Sequence, residues 1–370
     1  MRDLKHLIYF ESLLQEANNE LVKQACSEGK LALAYNCSYI PEPLLDIDGC
    51  FSVRLRAPGC VNPDLATYYM TNRSCPYSKS ILERAFEGGY NFISALVGQE
   101  CCTTMNRMEQ YFEYCKLIPN DKFFVCCIDM PTKKGEWYAG YFRRQIEKKI
   151  IAPMKEVYGV DFSDEKILDA IERHNELCRI ITEIGDFRKL DNPPITGYEF
   201  HVIQLVSEVC PKYLIIDKLR ETLEEIKSRK TDAEKDYRVR VVVVGSEIDD
   251  PQLIKLIEGC GAEVVCDRHC YGAVESRAPI VVKEGEKPLT AIARHYLETS
   301  NCPRFMPQDI MRERKQRLAD LAKEYKADGI ITRNEYTNTP NVDLTTLVHE
   351  GDKMQAKVLK VNDGDGYVML

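Results

Sequence analysis

The segment Phe92-Ile-Ser-Ala-Leu-Val-Gly-Gln-Glu-Cys-Cys102 decides how this chain is expected to fold. Its first six residues form an apolar run of strand length, Gly98 begins a turn, and a helical stretch follows from Thr103 to Cys115. A further buried-type strand is predicted over Lys122–Ile128. Short apolar runs that alternate with helical patterns are typical of a parallel sheet with helical crossovers.

The same alternation precedes this segment. The apolar spacing predicts a helix over residues 4–28 and strands over Leu31–Tyr35 and Phe51–Arg56. Ser74-Cys75-Pro76 then begins a helix that ends at Gly88-Gly89. Serine and proline are common at the first positions of a helix, and glycine is the common residue at its end.

The second half repeats the pattern after a long helical and charged region. Arg238–Gly245 predicts a strand, and the expected elements after it are helix Pro251–Gly259, strand Ala262–Cys266, helix Asp309–Tyr325 and strand Gly329–Ile331. The fold class is therefore α/β, with two open doubly wound (flavodoxin- or Rossmann-like) domains bridged by helices and followed by a short β tail. The predicted regions are a first α/β domain over 1–137, a helical bridge over 138–235, a second α/β domain over 236–333 and an atypical β tail over 334–370.

The tail differs from the rest of the chain. Residues 352–370 predict two β segments around Asn362-Asp-Gly-Asp-Gly366, which is a favourable hairpin turn. The segment resembles the opening of an S1-type RNA-binding β-barrel. It is less than half of such a module, so we assign it no RNA-binding role.

Composition narrows the classes of function. The net charge of −8 disfavours a duplex nucleic-acid binder, because phosphate contacts need a basic face. No apolar run of about 18 residues indicates a membrane span, and the first residues lack the apolar core of a signal peptide. We therefore expect a cytoplasmic protein, where thiols stay reduced and the 16 cysteines are buried packing residues, metal ligands or both.

Three cysteine positions lie where a strand or loop is expected to meet the start of a helix. They are Cys75, the Cys101–Cys102 pair and Cys270. Free N–H groups and the helix dipole at such a position stabilise a thiolate and an anionic iron–sulfur cluster. Cysteines at strand ends are also common core residues, and no compact zinc spacing, GxGxxG fingerprint or P-loop is present.

Several segments, taken in order, resemble the 2-hydroxyacyl-CoA dehydratase / benzoyl-CoA reductase family. Ser74-Cys-Pro-Tyr-Ser-Lys-Ser-Ile-Leu-Glu83 and Cys102-Thr-Thr-Met-Asn-Arg107 are similar to the segments that carry its first two cluster ligands. The others are Tyr35-Asn-Cys-Ser-Tyr-Ile-Pro-Glu-Pro-Leu-Leu45, Pro193-Pro-Ile-Thr-Gly197, Val244-Gly-Ser246, Gly259-Cys-Gly-Ala-Glu-Val-Val265 and Lys326-Ala-Asp-Gly-Ile-Ile331.

The resemblance implies a cluster-carrying subunit that works beside a homologous dehydratase subunit. In this family each subunit holds a [4Fe-4S] cluster through three cysteines, and a separate ATP-dependent activator injects one electron. The acyl-CoA substrate then becomes a ketyl radical and loses water from carbons 2 and 3. On this basis Cys75 and Cys102 are expected ligands, with Cys101 competing for the second position. The likeness to the smaller subunit implies that this chain relays the electron.

Glu42 is a further candidate from the same resemblance, as a polar or acid–base group facing the cleft. The alternative explanation is structural. A glutamate at the start of a helix interacts favourably with the helix dipole whether or not it has a catalytic role.

The third cluster ligand is where the chain departs from the family. The family's cysteine follows the last strand, but Thr332–Thr337 contains none, and no cysteine follows Cys302. Cys270, Glu335 or a group from a partner could complete the set, or the site is inactive. The expected aspartate after Cys102 is also missing.

Three functional hypotheses follow. The first is an enzyme subunit, either a 2-hydroxyacyl-CoA dehydratase or a benzoyl-CoA-reductase-like or double-cubane-type reductase. The second is a non-catalytic cluster-binding or scaffold homologue that has lost the third ligand. The third is a plain two-domain α/β binding protein with buried cysteines, because likeness of fold does not settle function.

Overall fold

The computed structural model describes residues 3–100, 102–231, 237–273, 277–299, 302, 308–332, 360–361 and 368–369. Two of the candidate ligands, Cys101 and Glu335, lie outside these ranges. So does the predicted hairpin turn at 362–366.

The first sheet is parallel and has the strand order β2-β1-β3-β4. Its strands are β1 Leu31–Tyr35, β2 Cys50–Arg54, β3 Ile93–Gln99 and β4 Phe124–Ile128. The helices associated with it are α1 Leu7–Leu13, α2 Glu20–Ser27, α3 Asp64–Tyr69, α4 Pro76–Phe86 and α5 Thr103–Tyr114. Every residue of β3 is buried, as expected for the inner strand of a parallel sheet covered on both faces.

The prediction of one helix over residues 4–28 was wrong, because α1 and α2 are separate. The Asn19 side chain accepts hydrogen bonds from the backbone N–H groups of Leu21 and Val22, at 3.1 Å each. These are the N–H groups that a continuous helix would bond to its preceding turn. A helix N-cap therefore stands where the apolar spacing predicted a helix interior.

Helices dominate the middle of the chain, as predicted. They are α6 Glu136–Ile146, α7 Ala152–Tyr158, α8 Asp164–Asp186, α9 Gly197–Val209 and α10 Lys212–Ser228, with one π-helical turn at Glu147–Ile151. Every residue of α9 is buried, so this helix lies inside the molecule rather than on one face of it. Its start is fixed by a capping box in which Thr196 and Glu199 bond each other's backbone N–H groups.

The second sheet has the strand order β6-β5-β7-β9-β8. Its strands are β5 Val239–Val244, β6 Ala262–Arg268, β7 Gly329–Thr332, β8 Lys360–Val361 and β9 Val368–Met369. Pairing is parallel up to β9, and β8 pairs with β9 antiparallel. The associated helices are α11 Gln252–Gly259, α12 Pro288–Glu298 and α13 Gln308–Glu324. The α/β doubly wound prediction is confirmed, and the tail segments extend the second sheet.

One apolar core connects the two sheets through α9. The same cluster contains Phe112 from α5, Phe200 from α9 and Val241 from β5. A second cluster places Ile292 of α12 with Phe142 of α6, so a helix that lies between β6 and β7 in the chain packs on the first half. No helix within the described ranges is both long and apolar enough to cross a bilayer.

Gly197 allows α9 to pack closely on β6. A Cβ added at this position would lie 2.5 Å from Val264 Cβ and 2.6 Å from its carbonyl oxygen. We therefore expect Gly197→Ala to lower the free energy of unfolding by about 1–3 kcal/mol, measured by urea denaturation. Gly259→Ala is the matched control, since a Cβ there meets nothing within 4 Å and the residue is helical. Equal losses in the two variants would contradict this packing explanation.

Candidate active site

The candidate site lies at the carboxyl ends of β1 and β3, the edge where ligands bind in open parallel sheets. Asn36 and Cys37 directly follow β1, and Glu100 and Cys102 follow β3. The Glu100 N–H donates to the Ile128 carbonyl at 2.9 Å, so the β3 and β4 ends stay paired at this edge.

Cys75 and Cys102 occupy equivalent positions on neighbouring helices. Cys75 is the N-cap residue of α4 and Cys102 that of α5, as the sequence predicted. The two helices pack against each other, and both cysteines touch the same apolar cluster. The Cys102 thiol lies 3.2 Å from the Thr104 hydroxyl. Two helix N-termini therefore present thiols from adjacent elements of the first half, an arrangement suited to an anionic group.

Cys270 approaches from the second half of the molecule, in the turn after β6. Its carbonyl accepts hydrogen bonds from Ser38 Oγ at 2.6 Å and from Arg54 Nη1 at 2.7 Å. Burial raises the pKa of the Cys270 thiol well above its usual range, and the carboxyl group of Glu247 raises it further. In this environment the free thiol is neutral at physiological pH.

Further contacts bring the cysteine-bearing segments together. The Tyr77 and Tyr271 hydroxyls lie 2.7 Å apart, which joins the start of α4 to the Cys270 turn. Cys37 Sγ donates to Gln99 Oε1 at 3.2 Å, which joins the end of β1 to the strand that leads to Cys102. Sequence reasoning did not select Cys37 as a site residue, although its place directly after a buried strand was a usable signal.

The family resemblance predicts three thiolate ligands, and the described residues include the two that it identifies. These are Cys75 and Cys102, each at a helix start. Within the described ranges, no three His, Cys, Asp or Glu side chains lie together in an arrangement that could hold a metal ion. Cys101, the alternative to Cys102, and Glu335, a candidate for the third position, lie outside the described residues.

Glu42 lies in a buried ion network. It begins a three-residue 3₁₀ helix, Glu42–Leu44. Its carboxylate is 2.8 Å from Lys212 Nζ and 3.4 Å from Arg277 Nε, and it accepts a hydrogen bond from the Tyr35 hydroxyl at 3.1 Å. Burial alone would raise the pKa of Glu42, but Lys212 and Arg277 hold it well below its usual range. The carboxylate therefore stays ionised and is a poor proton donor in this state.

The ion network extends between the two halves of the molecule, and arginine and glutamate side chains alternate along it. Arg277 lies 3.3 Å from Glu208, and Arg54 lies 3.2 Å from the same carboxylate. Arg54 is also 3.4 Å from Glu247, and its guanidinium stacks 3.8 Å from the centroid of the Tyr271 ring. β2, α9 and the loop after β5 are thus tied together by paired charges beneath the Cys270 turn.

Glu109 is a second buried carboxyl group near the site. It faces the sheet from α5, and Asn36 Nδ2 donates to its Oε1 at 2.6 Å. Glycine at position 98 leaves room for it, since an added Cβ there would overlap the Glu109 carboxyl group. Burial raises the pKa of Glu109 to about 7. This carboxyl group, at the carboxyl edge of the first sheet, is therefore partly protonated near neutral pH.

The Glu109→Gln variant tests that raised pKa. A carboxyl whose pKa is raised by folding contributes stability that is complete below its ordinary value of 4.5 and lost as pH rises through about 7. The neutral glutamine avoids this loss, so we expect its stability advantage over wild type to grow by on the order of 3 kcal/mol between pH 5 and 8. Urea denaturation across this range measures the difference. Glu156→Gln, at an exposed position on α7, is the control, and equal pH profiles for the two variants would contradict the assignment.

Comparisons with known proteins give matches over most of the chain. A family model described as 2-hydroxyglutaryl-CoA dehydratase, D-component, matches residues 37–340. The chain is 22% identical over 323 residues to the (R)-phenyllactyl-CoA dehydratase beta subunit of Clostridium sporogenes, covering 87% of this chain and 83% of that protein. It is 20% identical over 303 residues to the lactoyl-CoA dehydratase subunit beta of Anaerotignum propionicum, covering 82% and 78%.

Proposed function

The chain belongs to the 2-hydroxyglutaryl-CoA dehydratase D-component family, and we propose that it is the iron–sulfur subunit of a 2-hydroxyacyl-CoA dehydratase-type enzyme. The reaction would remove water from carbons 2 and 3 of the acyl-CoA and leave the enoyl-CoA. The observation that carries the proposal is the family match over residues 37–340, together with thiols at two adjacent helix starts inside that range.

The proposed cofactor is a [4Fe-4S] cluster with Cys75 and Cys102 as two of its ligands. Such a cluster supplies a low-potential electron when it is bound. The placement of both thiols at helix N-termini supports the proposal, because N–H groups there stabilise negative charge on cluster sulfurs. For the third ligand the candidates are Cys270, Glu335 and a group from a partner, and Cys101 is the alternative to Cys102 at the second position.

The chain's own residues would shape the cleft beside the cluster. Cys270 and Glu247 would form a buried wall on the side that faces α4, where burial raises the pKa of both groups, that of Glu247 to about 7. The Tyr77–Tyr271 pair closes the gap between the two halves at this point. Such a buried wall would limit solvent access near a reducing centre.

The proposal includes two protein partners. The relatives are named as beta subunits, which supports a homologous dehydratase subunit as the first partner. An ATP-dependent activator iron–sulfur protein is the second, since it would inject the electron that the reaction needs. We place the enzyme in the cytoplasm, where the thiols stay reduced.

Activator-dependent turnover tests the proposal directly. The chain is combined without oxygen with its homologous subunit, an activator, ATP and a 2-hydroxyacyl-CoA, and formation of the enoyl-CoA is followed. We expect product only when activator and ATP are both present. A parallel reaction with an aromatic acyl-CoA tests the reductase alternative. Absence of product from both acyl-CoA classes in a fully reconstituted enzyme would contradict a catalytic role.

A scaffold role is the second candidate, and one observation favours it. No cysteine follows Cys302 in the sequence, so the position after the last strand, where the family resemblance predicts the third ligand, lacks a thiol. A non-catalytic homologue would bind the partner subunit but give no turnover with the activator. Complex formation measured beside turnover separates the two candidates.

A further inference from the structure

Trp137 forms an exposed aromatic surface at the start of α6. It is the only tryptophan in the chain, and 70% of it is exposed. The Tyr141 ring lies one turn later and nearly parallel to it, with centroids 6.4 Å apart and an interplanar angle of 12°. The Tyr141 hydroxyl donates to Asp129 Oδ2 at 2.7 Å, which fixes that ring. An exposed indole that stacks beside a fixed tyrosine ring is suited to binding a flat ligand.

Basic side chains continue the same face of the helix. Arg144 lies seven residues after Trp137, a spacing that places both on one side of α6. Gly140 lies between them in the helix, and the Arg144 guanidinium reaches back towards it, with Nη1 3.7 Å from the position of an added Cβ. Lys148 follows about one turn later. Among the described residues neither Arg144 nor Lys148 forms an ion pair, so both are available to an anion.

Local charge contrasts with the chain as a whole. Residues 129–149 contain six basic and three acidic side chains, whereas the whole chain has a net charge of −8. A polyanion would be repelled by most of this protein but attracted here. We call the face formed by Trp137, Tyr141, Arg144 and Lys148 the α6 platform.

The α6 platform is next to the candidate active site. Asp129, which fixes Tyr141, directly follows β4, and β4 pairs with β3, the strand that leads to Cys102. The platform therefore lies near the same carboxyl edge of the first sheet as the cysteines. A ligand bound there could reach the cleft with an extended chain.

We propose that the α6 platform binds the adenosine 3′-phosphate 5′-diphosphate part of coenzyme A, with the adenine stacked on Trp137 and the phosphates at Arg144 and Lys148. This inference rests on the proposed function, because it assigns the nucleotide end of the acyl-CoA to this subunit. Adenine offers a flat π-face, and the phosphates offer the negative charge that unpaired guanidinium and ammonium groups bind. A protein partner would need a larger apolar face than these two rings provide.

Tryptophan fluorescence tests the proposal without a label, because the single tryptophan reports only this position. We expect coenzyme A and adenosine 3′,5′-bisphosphate to quench Trp137, and pantetheine to have no effect. Quenching by ATP with none by coenzyme A would overturn the assignment to coenzyme A. Quenching by the homologous subunit that coenzyme A does not reverse would overturn it in favour of a protein contact.

Variants and calorimetry separate this inference from the proposed function. Arg144→Glu should weaken coenzyme A binding by at least about tenfold, and Trp137→Ser by about tenfold, because each removes an interaction of more than 1 kcal/mol. Lys155→Glu on α7 makes the same charge change at another exposed position and should leave affinity within about twofold. Unchanged affinity in Arg144→Glu and Trp137→Ser, with dehydration activity intact, would overturn the platform and leave the function standing. If coenzyme A quenches the wild-type protein as expected but the reconstituted wild-type enzyme gives no turnover, the proposed dehydratase function is contradicted and the platform is not.

Discussion

We expect Arg54→Met to lower the free energy of unfolding by about 3–5 kcal/mol, as found when one partner of a buried ion pair is removed. Arg54 is 1% exposed and lies between the carboxylates of Glu208 and Glu247. Methionine fills a similar volume but leaves both carboxylates without this cation, and it also removes the hydrogen bond to the Cys270 carbonyl. Urea denaturation at neutral pH measures the loss.

Arg220→Met is the matched control. Arg220 also pairs with two carboxylates, Glu176 and Asp217, but its side chain is 46% exposed. Solvent screens such surface pairs, so this variant should lose less than about 1 kcal/mol. Comparable losses of unfolding free energy in the two variants would contradict the claim that burial makes the Arg54 ion pairs more important for stability than the surface pairs of Arg220. A double variant, Arg54→Met with Glu247→Gln, should recover part of the loss, because Arg54 is the cation with which the Glu247 carboxylate pairs.

The second large effect is on activity. Replacing Cys75 and Cys102 together by serine should reduce activator-dependent turnover by more than about 100-fold, because even groups that only support metal ligands cost 10–100-fold. Serine is a good N-cap residue, so helices α4 and α5 should keep their starts and the thermal stability should change little. Enoyl-CoA formation by the reconstituted enzyme is the measurement.

Cys115→Ser is the control for that variant. Cys115 is the C-cap residue of α5, the helix that Cys102 begins, so the same substitution is made at the opposite end of one helix. It should leave turnover unchanged. If both the double variant and Cys115→Ser retain full activity, Cys75 and Cys102 are not needed for the reaction, and the proposed site is wrong.

Short sequence patterns predicted the strands and helix starts, because these depend mainly on residues that are neighbours in the chain. The apolar runs of β3 and β5 are long enough to be buried strands, and Cys75-Pro76 marks the start of α4, so sequence alone located them. The family resemblance, carried by ordered short segments, was also confirmed. The helix starts at Cys75 and Cys102 were predicted correctly because a helix start is visible from its own few residues.

Features that depend on distant partners could not be predicted in this way. The packing of α12 on α6 and the approach of Cys270 to Ser38 join residues far apart in the chain. The partners of Arg54 come from α9 and from the loop after β5, and nothing in the Phe51–Arg56 pattern identifies them. The division between α1 and α2 was missed because one side-chain cap outweighed an otherwise continuous apolar spacing.

The most direct test of the central claim is the iron and acid-labile sulfide content of the chain purified without oxygen, measured beside the Cys75→Ser, Cys102→Ser double variant. We expect iron and sulfide in equal amounts, about four of each per chain for one [4Fe-4S] cluster, and their loss in the variant. A wild-type chain that is colourless, iron-free and resistant to reconstitution with iron and sulfide would contradict it, as would a double variant that keeps its full iron content.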